Sequence, residues 1–344
     1  MKKNGFFNSL NKCYVIAEIG VNHNGDINLA EKMIYEAKSA GADAVKFQSF
    51  HADQLASKDT PKVDYQISNS DPNESHYEML KKLELDKESH YHLLAHCKSL
   101  NIDFISTPYD IESAKFLNEL GVLLFKTASA DLIDLPLHSY IASTGKPVLI
   151  ATGMANLEEI EDTVNLYKNS TNELLLLHCV SNYPASDISL NLKALNLLSS
   201  VFKLPIGYSD HSAGSLASCL AVALGSQVIE KHFTLDKNLP GPDHKASSTP
   251  LEFSLLVNAI RKTELMLGTE QKIMQPEEVQ MAMISRKSLV AAVDIYSGQK
   301  IQPHNLLLMR PGDGIPAKFL SSLVGRVALR DIAMHEKISW KDIN

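Results

Sequence analysis

The chain has 344 residues, a formal charge of −7, 44% hydrophobic and 21% charged residues, and four cysteines. An acidic balance excludes general affinity for nucleic acid, which needs a basic surface to displace counterions, so any anionic ligand must be held by a few cations and hydroxyls inside a cleft. No apolar run reaches bilayer length, and no membrane association is expected.

At the start of the chain, Lys2 and Lys3 precede a segment broken by Asn and Ser rather than a signal-type apolar core, which predicts a cytoplasmic protein. Short β-branched or apolar runs then alternate with helical-period segments. The strand candidates are CYVIAEIG from residue 13, DAVKFQSF from 43, DFISTPY from 103, VLLFKTAS from 122, KPVLIATG from 146, LLLLHCV from 174, LPIGYSD from 204 and SQVIEKHFTL from 226. Seven helical segments separate them, several stopped by Gly or Asn, and TPLEFSLLVNAIRKTELMLG follows the last strand. Eight β-then-α units predict an α/β fold, a (β/α)8 TIM barrel over residues 1–268. An open doubly wound sheet is the alternative, but no Gly-rich dinucleotide fingerprint follows the first strand.

Residues 269–285 are polar and rich in Gln and Glu, which suits a linker. Residues 286–344 carry brief β-type runs and turn residues, which predicts a small β-rich domain. Within it DIYSGQKIQPHNL from Asp294 aligns without gaps to DIAMHEKISWKDI from Asp331, suggesting an internal duplication. Cys13, Cys97, Cys179 and Cys219 are scattered in apolar contexts and are expected to be buried, reduced thiols.

In such a barrel the active site lies where strands hand over to the following loops. The polar residues at those ends are Glu18, Lys46, Gln48, Ser106, Thr107, Lys126, Ser129, Thr152, Ser181, Tyr183, Ser209, His211, Glu230 and His232. Strand periodicity puts Glu230 and His232 on one face and Ile229, Lys231 and Phe233 on the other, while His211 shares its face with Ser209. Two histidines on adjacent strands can offer two imidazole nitrogens to one divalent ion. The lack of thiolate ligands favours Mn2+ or Mg2+ keeping several waters over a closed zinc site. Lys46 and Lys126 are either Schiff-base nucleophiles or anchors for carboxylate and phosphate, and their hydroxyl-rich surroundings favour anchors.

The motifs AEIGVNHNGD, AVKFQSF, ISTPYD, LLHCVSNYP, IGYSDHSAG, VIEKHFTLDKNLPGPDHKAS and MRPGDGI span the chain in order, and in them it resembles the sialic acid synthase family. That family makes nine-carbon α-keto acids from phosphoenolpyruvate (PEP) and an N-acetylated amino sugar. The resemblance implies a barrel joined to an antifreeze-like (SAF) domain, and a homodimer in which the small domain of one subunit covers its partner's barrel mouth. It further implies that His211 and His232 bind the metal and that Lys46, Thr107, Lys126, Ser129, Ser181 and Ser209 hold PEP. Gln48, Tyr183, Asp243 and a partner-donated Arg310 are then expected at the sugar, with Glu18, Glu230 and Asp131 as the catalytic carboxylates. Ser181 and Asp131 stand where some members have Asn and Glu. The loop GPDHKAS looks like the N-acetylneuraminate and legionaminate branch, whose sugars are N-acetylmannosamine and 2,4-diacetamido-2,4,6-trideoxymannose. The alternatives are a pseudaminic acid synthase, another PEP-dependent keto-acid synthase, and a barrel aldolase.

Overall fold

A computed structural model describes residues 5–71 and 73–344, so the lysines at positions 2 and 3 lie outside the described residues. The chain divides into two compact units after Gly268.

In the first unit eight parallel strands run β1 Tyr14–Gly20, β2 Ala44–Ser49, β3 Asp103–Pro108, β4 Phe125–Thr127, β5 Val148–Ala151, β6 Leu174–Cys179, β7 Ile206–Asp210 and β8 Val228–His232. They order as β3-β2-β1-β8-β7-β6-β5-β4, and β3 lies against β4 to close the ring. The helices are α1 Ile27–Ser39, α2 Ala52–Leu55, α3 Asp64–Asn69, α4 His76–Leu83, α5 Lys87–Ser99, α6 Ile111–Leu120, α7 Leu135–Ser143, α8 Leu157–Leu166, α9 Ala194–Phe202, α10 Leu216–Ala223 and α11 Pro250–Leu267. Acidic and polar caps fix where they begin. Asp26, Asp86, Asp110 and Asp134 accept backbone amides at the starts of α1, α5, α6 and α7, and Asn156 with Glu159 and Thr249 with Glu252 form capping boxes on α8 and α11. The helices α2 to α4 belong to the segment after β2, which has no long periodic pattern; α4 is started by a Ser75–Glu78 capping box.

The inside of the barrel changes character along its axis. Ile16, Ala44, Ile105, Leu124, Leu149, Leu175, Leu177 and Val228 pack into one apolar cluster, while two residues further along the same strands come Glu18, Lys46, Thr107, Lys126 and Glu230. Gly207 belongs to this interior because a Cβ there would stand 2.6 Å from Leu177 and 2.7 Å from the Val228 carbonyl. Phe7, in a 3-10 turn Phe7–Ser9, joins the same cluster, and its amide donates to Glu173 at 2.9 Å just ahead of β6. It therefore plugs the end of the barrel opposite the polar layer. Cys13, Cys97 and Cys179 are buried, Cys219 is half-buried, and all four are free thiols.

The second unit contains α12 Val279–Ser285, the antiparallel pair β9 Ser288–Ala291 and β10 Leu306–Met309, and α13 Leu320–Leu323. Regular strand is scarcer than its composition suggests, and residues 279–285 are helical rather than extended linker. The duplication is nonetheless structural. Ile295 and Ile332 exchange backbone hydrogen bonds at 2.9 and 2.8 Å. Asp294 accepts the Met334 amide, and Asp331, its counterpart, accepts the Ser297 amide, both at 2.7 Å. Ala291, Ile295, Ile301 and Leu306 are matched in one core by Ala328, Ile332, Ile338 and Ile343.

Truncating a buried aromatic costs about 3–5 kcal/mol. Phe7→Ala is therefore expected to lower the unfolding free energy of the barrel by about 3 kcal/mol. Chemical denaturation followed by far-ultraviolet circular dichroism checks this; an unchanged midpoint would show that the plug does not stabilise the barrel.

Candidate active site

The polar layer assembles because β1, β2, β4 and β8 each deliver one charged side chain to the same end of the ring. Lys46 Nζ stands 2.7 Å from Glu18 Oε2, donates to Thr107 Oγ1 at 3.1 Å and lies 3.8 Å from Glu230 Oε2. Lys126 Nζ is 3.2 Å from Glu230 Oε1, to which Ser209 Oγ donates at 2.9 Å. Gln48 Nε2 donates to Glu18 Oε1 at 3.2 Å. Glu18, Lys46, Lys126 and Glu230 are all buried, so two carboxylates balance two ammonium groups where water cannot screen them.

The two carboxyls are not equivalent. Burial pushes Glu18 up, Lys46 opposes it and Glu230 adds to it, and the result is a raised pKa. Burial pushes Glu230 up as well, but Lys126, Lys46 and the Ser209 hydroxyl outweigh it and hold this group below the usual carboxylate range. Glu18 is thus the better proton carrier and Glu230 the standing anion. Burial pushes Lys126 down, but Glu230 and Glu18 outweigh it and keep the amine protonated. A protonated Lys126 and an ion-paired Lys46 fit anchors, not Schiff-base nucleophiles.

Beside this layer the histidines meet. The rings of His211 and His232 are 5.8 Å apart, and Tyr183 lies 4.3 Å from the first and 5.4 Å from the second. His211 Nδ1 donates to the Val180 carbonyl at 2.8 Å, which leaves Nε2 as a bare acceptor near the hydroxyls of Ser209 and Tyr183. Burial holds His211 down at about 4 and, with His211 adding, holds His232 far below its ordinary value. Both rings are therefore neutral at neutral pH, as metal ligands must be. Nδ1 of His232 is buried without a hydrogen-bond partner, an orphan that a metal could satisfy. Among the described residues no group of three His, Cys, Asp or Glu side chains has metal-holding geometry, so an ion here would take its other ligands from water or substrate.

Lys126, Ser129, Ser181, Tyr183, Ser209, His211, Glu230 and His232 line a cavity of about 630 Å³. Glu18, Lys46 and Thr107 adjoin it through Glu230. Ser129 accepts the Gly153 amide at 3.0 Å and lies 3.0 Å from Cys179 Sγ. A Cβ on Gly153 would stand 2.4 Å from Ser181 Oγ and 2.8 Å from Ser129 Oγ, so this glycine keeps the two hydroxyls together. Asp131 and Asp243 are not among the lining residues. Asp243 is buried, and its carbonyl accepts Ser247, which also accepts Asn22; Asn24 and Asn69 donate to the Pro240 and Pro242 carbonyls of the same loop. Ser106 and Thr152 instead bond Ser49 and the Leu177 carbonyl within the scaffold. Arg310 is exposed in the second unit, after β10. Val63, Tyr109 and Met154 also line the cavity and carry no polar strand-end signature; for Met154 the available signal was its place after Gly153 at a strand-to-helix turn.

The NeuB family model matches residues 33–272 and the SAF domain model residues 286–344. The chain is 46% identical to the N,N'-diacetyllegionaminic acid synthase of Campylobacter jejuni, over 96% of this chain and 99% of that one. It is 35% identical to the pseudaminic acid synthase of the same species, over 98% of each. The crystal structure of an N-acetylneuraminic acid synthetase from Leptospira borgpetersenii with citrate superposes with a TM-score of 0.70 at 36% identity, covering 79% of this chain and 90% of that one.

Asp131 gives a pH prediction. Burial, with Asp134 adding, pushes its carboxyl from 3.8 up to about 7. Between those values the folded state holds a proton that the unfolded state has released, so this group's contribution is present below pH 3.8 and lost as pH rises through about 7. Wild type should lose stability relative to Asp131→Asn over that window. Urea midpoints of the two proteins across pH 4–8 check it, and parallel curves would sink the assignment.

Proposed function

The chain belongs to the NeuB family, the sialic acid synthases, and from that membership we propose that it condenses PEP with an N-acetylated amino sugar to give a nonulosonic acid and phosphate. The higher identity to a legionaminic than to a pseudaminic acid synthase favours 2,4-diacetamido-2,4,6-trideoxymannose over other sugars, with N-acetylmannosamine as the second candidate. The observation that carries the reading is the cavity in which Lys126, three serines and two neutral histidines converge.

In this reading Lys46, Thr107, Lys126, Ser129, Ser181 and Ser209 bind the phosphate and carboxylate of PEP, whose charge the two lysines match once they turn from Glu18 and Glu230. The residues His211 and His232 would hold Mn2+ or Mg2+, which supplies Lewis-acid polarisation of the sugar carbonyl. Tyr183, Gln48 and Asp243 orient the sugar. Carbon 3 of PEP forms the new bond to the sugar's carbonyl carbon, water adds at carbon 2, and the carbon–oxygen bond to phosphate breaks. Glu18, with its raised pKa, holds and moves a proton during these steps; Glu230 stays anionic and offsets positive charge developing at carbon 2. Asp131 is a further carboxyl near neutrality beside the site.

We extend the reading to a cytoplasmic homodimer in which Arg310 of one copy reaches the sugar bound in the other. Support comes from apolar side chains exposed on the loops and helix starts after β4, β6 and β7, Ile133, Ile188 and Leu216, and from Met281, Met283 and Ile284 exposed on α12. Light scattering is expected to give twice the chain mass, and a monomer that turns over at full rate would overturn the shared site.

The test of the reaction is phosphate release from PEP and Mn2+ with either sugar, with product mass measured in parallel. Glu18→Gln should lower kcat by at least about 100-fold, the range of general acid–base catalysis, with the KM for PEP within about threefold of wild type. Silence of wild type with both sugars would overturn the substrate assignment.

A further inference from the structure

Among the described residues six non-glycine positions adopt positive φ: Asn24, Asn101, Met154, Asn191, Lys203 and His335. Asparagine tolerates this region, Lys203 ends α9, and His335 makes the repeat turn of the second unit. Met154 has no such reason. It sits at φ 64°, is 71% exposed, and lies in the turn between β5 and α8, whose cap is Asn156. A long apolar side chain is thus held in a strained backbone and left unburied, at the rim of the cavity it lines. Backbone strain kept without any gain in packing points to function.

The cavity tells what that function meets. Its charged side chains, Lys126 and Glu230, come from β4 and β8, whereas Val63, Ala128, Ala130 and Met154 are apolar lining residues. PEP has no methyl group to bury. N-acetylmannosamine has one acetamido methyl, and the 2,4-diacetamido-6-deoxy sugar adds a second acetamido methyl and a methyl at carbon 6.

We propose that Met154 is a specificity-determining residue that presents an apolar wall to the methyl-bearing substituents of the sugar, and so selects the diacetamido 6-deoxy sugar over N-acetylmannosamine. The inference rests on the synthase reading. Leaving one methyl of the sugar unburied weakens binding about fourfold, so truncating the Met154 side chain removes about tenfold or more of the selectivity.

The experiment compares wild type, Met154→Gly and Met154→Gln as full-length, Mn2+-loaded protein. Expected are a wild-type preference for the diacetamido sugar, and a fall of about tenfold in its kcat/KM in both variants. The expected change with N-acetylmannosamine is less than about threefold, with the KM for PEP and the solution mass unchanged. Glycine fits positive φ, so Met154→Gly should melt no lower than wild type, and up to about 2 °C higher. Equal losses with both sugars, a changed KM for PEP, a lower mass or a lower melting point would each overturn the wall, because they assign Met154 to the scaffold, the PEP site or the subunit interface. Unchanged selectivity also overturns it while the synthase reading stands; silence of wild type with both sugars removes that reading and the wall together.

Discussion

The charge balance at one end of the barrel constrains everything built around it. Glu18, Lys46, Lys126 and Glu230 are withdrawn from water together, and removing any one would leave an uncompensated ion in a low-dielectric space, typically a loss of about 3–5 kcal/mol. The strands must hold them within ion-pair distance before any ligand arrives. That requirement accounts for the apolar packing below the layer, with Ile16, Ile105, Leu149 and Val228 filling the barrel tightly enough to fix the strand ends. It also accounts for the division of labour between the carboxyls. Glu230 meets both lysines and a hydroxyl, whereas Glu18 meets Lys46 and Gln48, so Glu230 is held ionised more firmly and Glu18 is the more readily protonated of the two.

In the proposed reaction an anionic substrate competes with the buried glutamates for the same lysines. Glu18 and Glu230 satisfy Lys46 and Lys126; a phosphate or carboxylate entering the cavity offers the same cations a second partner. In the proposed reaction the glutamates hold the lysines in place until the anion takes over the pairing. The neutral pair His211 and His232 lies outside this exchange, because Val180 fixes one ring by its backbone carbonyl and burial keeps both uncharged.

Much of this was legible in the chain. The eight βα units, the shared face of Glu230 with His232, and the outward turn of Lys231, which pairs with Asp210 at 2.9 Å, follow from a period of two in strands ended by polar residues. Ser106 is a strand-end polar residue like Thr107, but the same period turns adjacent residues to opposite faces, and Ser106 bonds Ser49 in the scaffold. Helices α2 to α4 are hard to read from the sequence because they are short; α4 buries only Met79, Leu80 and Leu83, and α3 is tied down by a distant bond from Asn69 to the Pro242 carbonyl. Met154 is signalled only by its place after Gly153 at a strand-to-helix turn, because methionine itself has no turn preference. The resemblance implies Asp131 as a catalytic carboxylate, and in the structure it lies beside the cavity rather than in its lining.

The repeat in the second unit has a consequence for how that unit holds itself together. Each half supplies the aspartate that closes the other's turn, Asp294 for Met334 and Asp331 for Ser297, so neither half completes its own hydrogen bonding. It is in effect a two-fold dimer whose subunits are joined end to end in one polypeptide. The tether keeps the halves at high effective concentration whatever the protein concentration, and dilution, which dissociates ordinary dimers, cannot separate them.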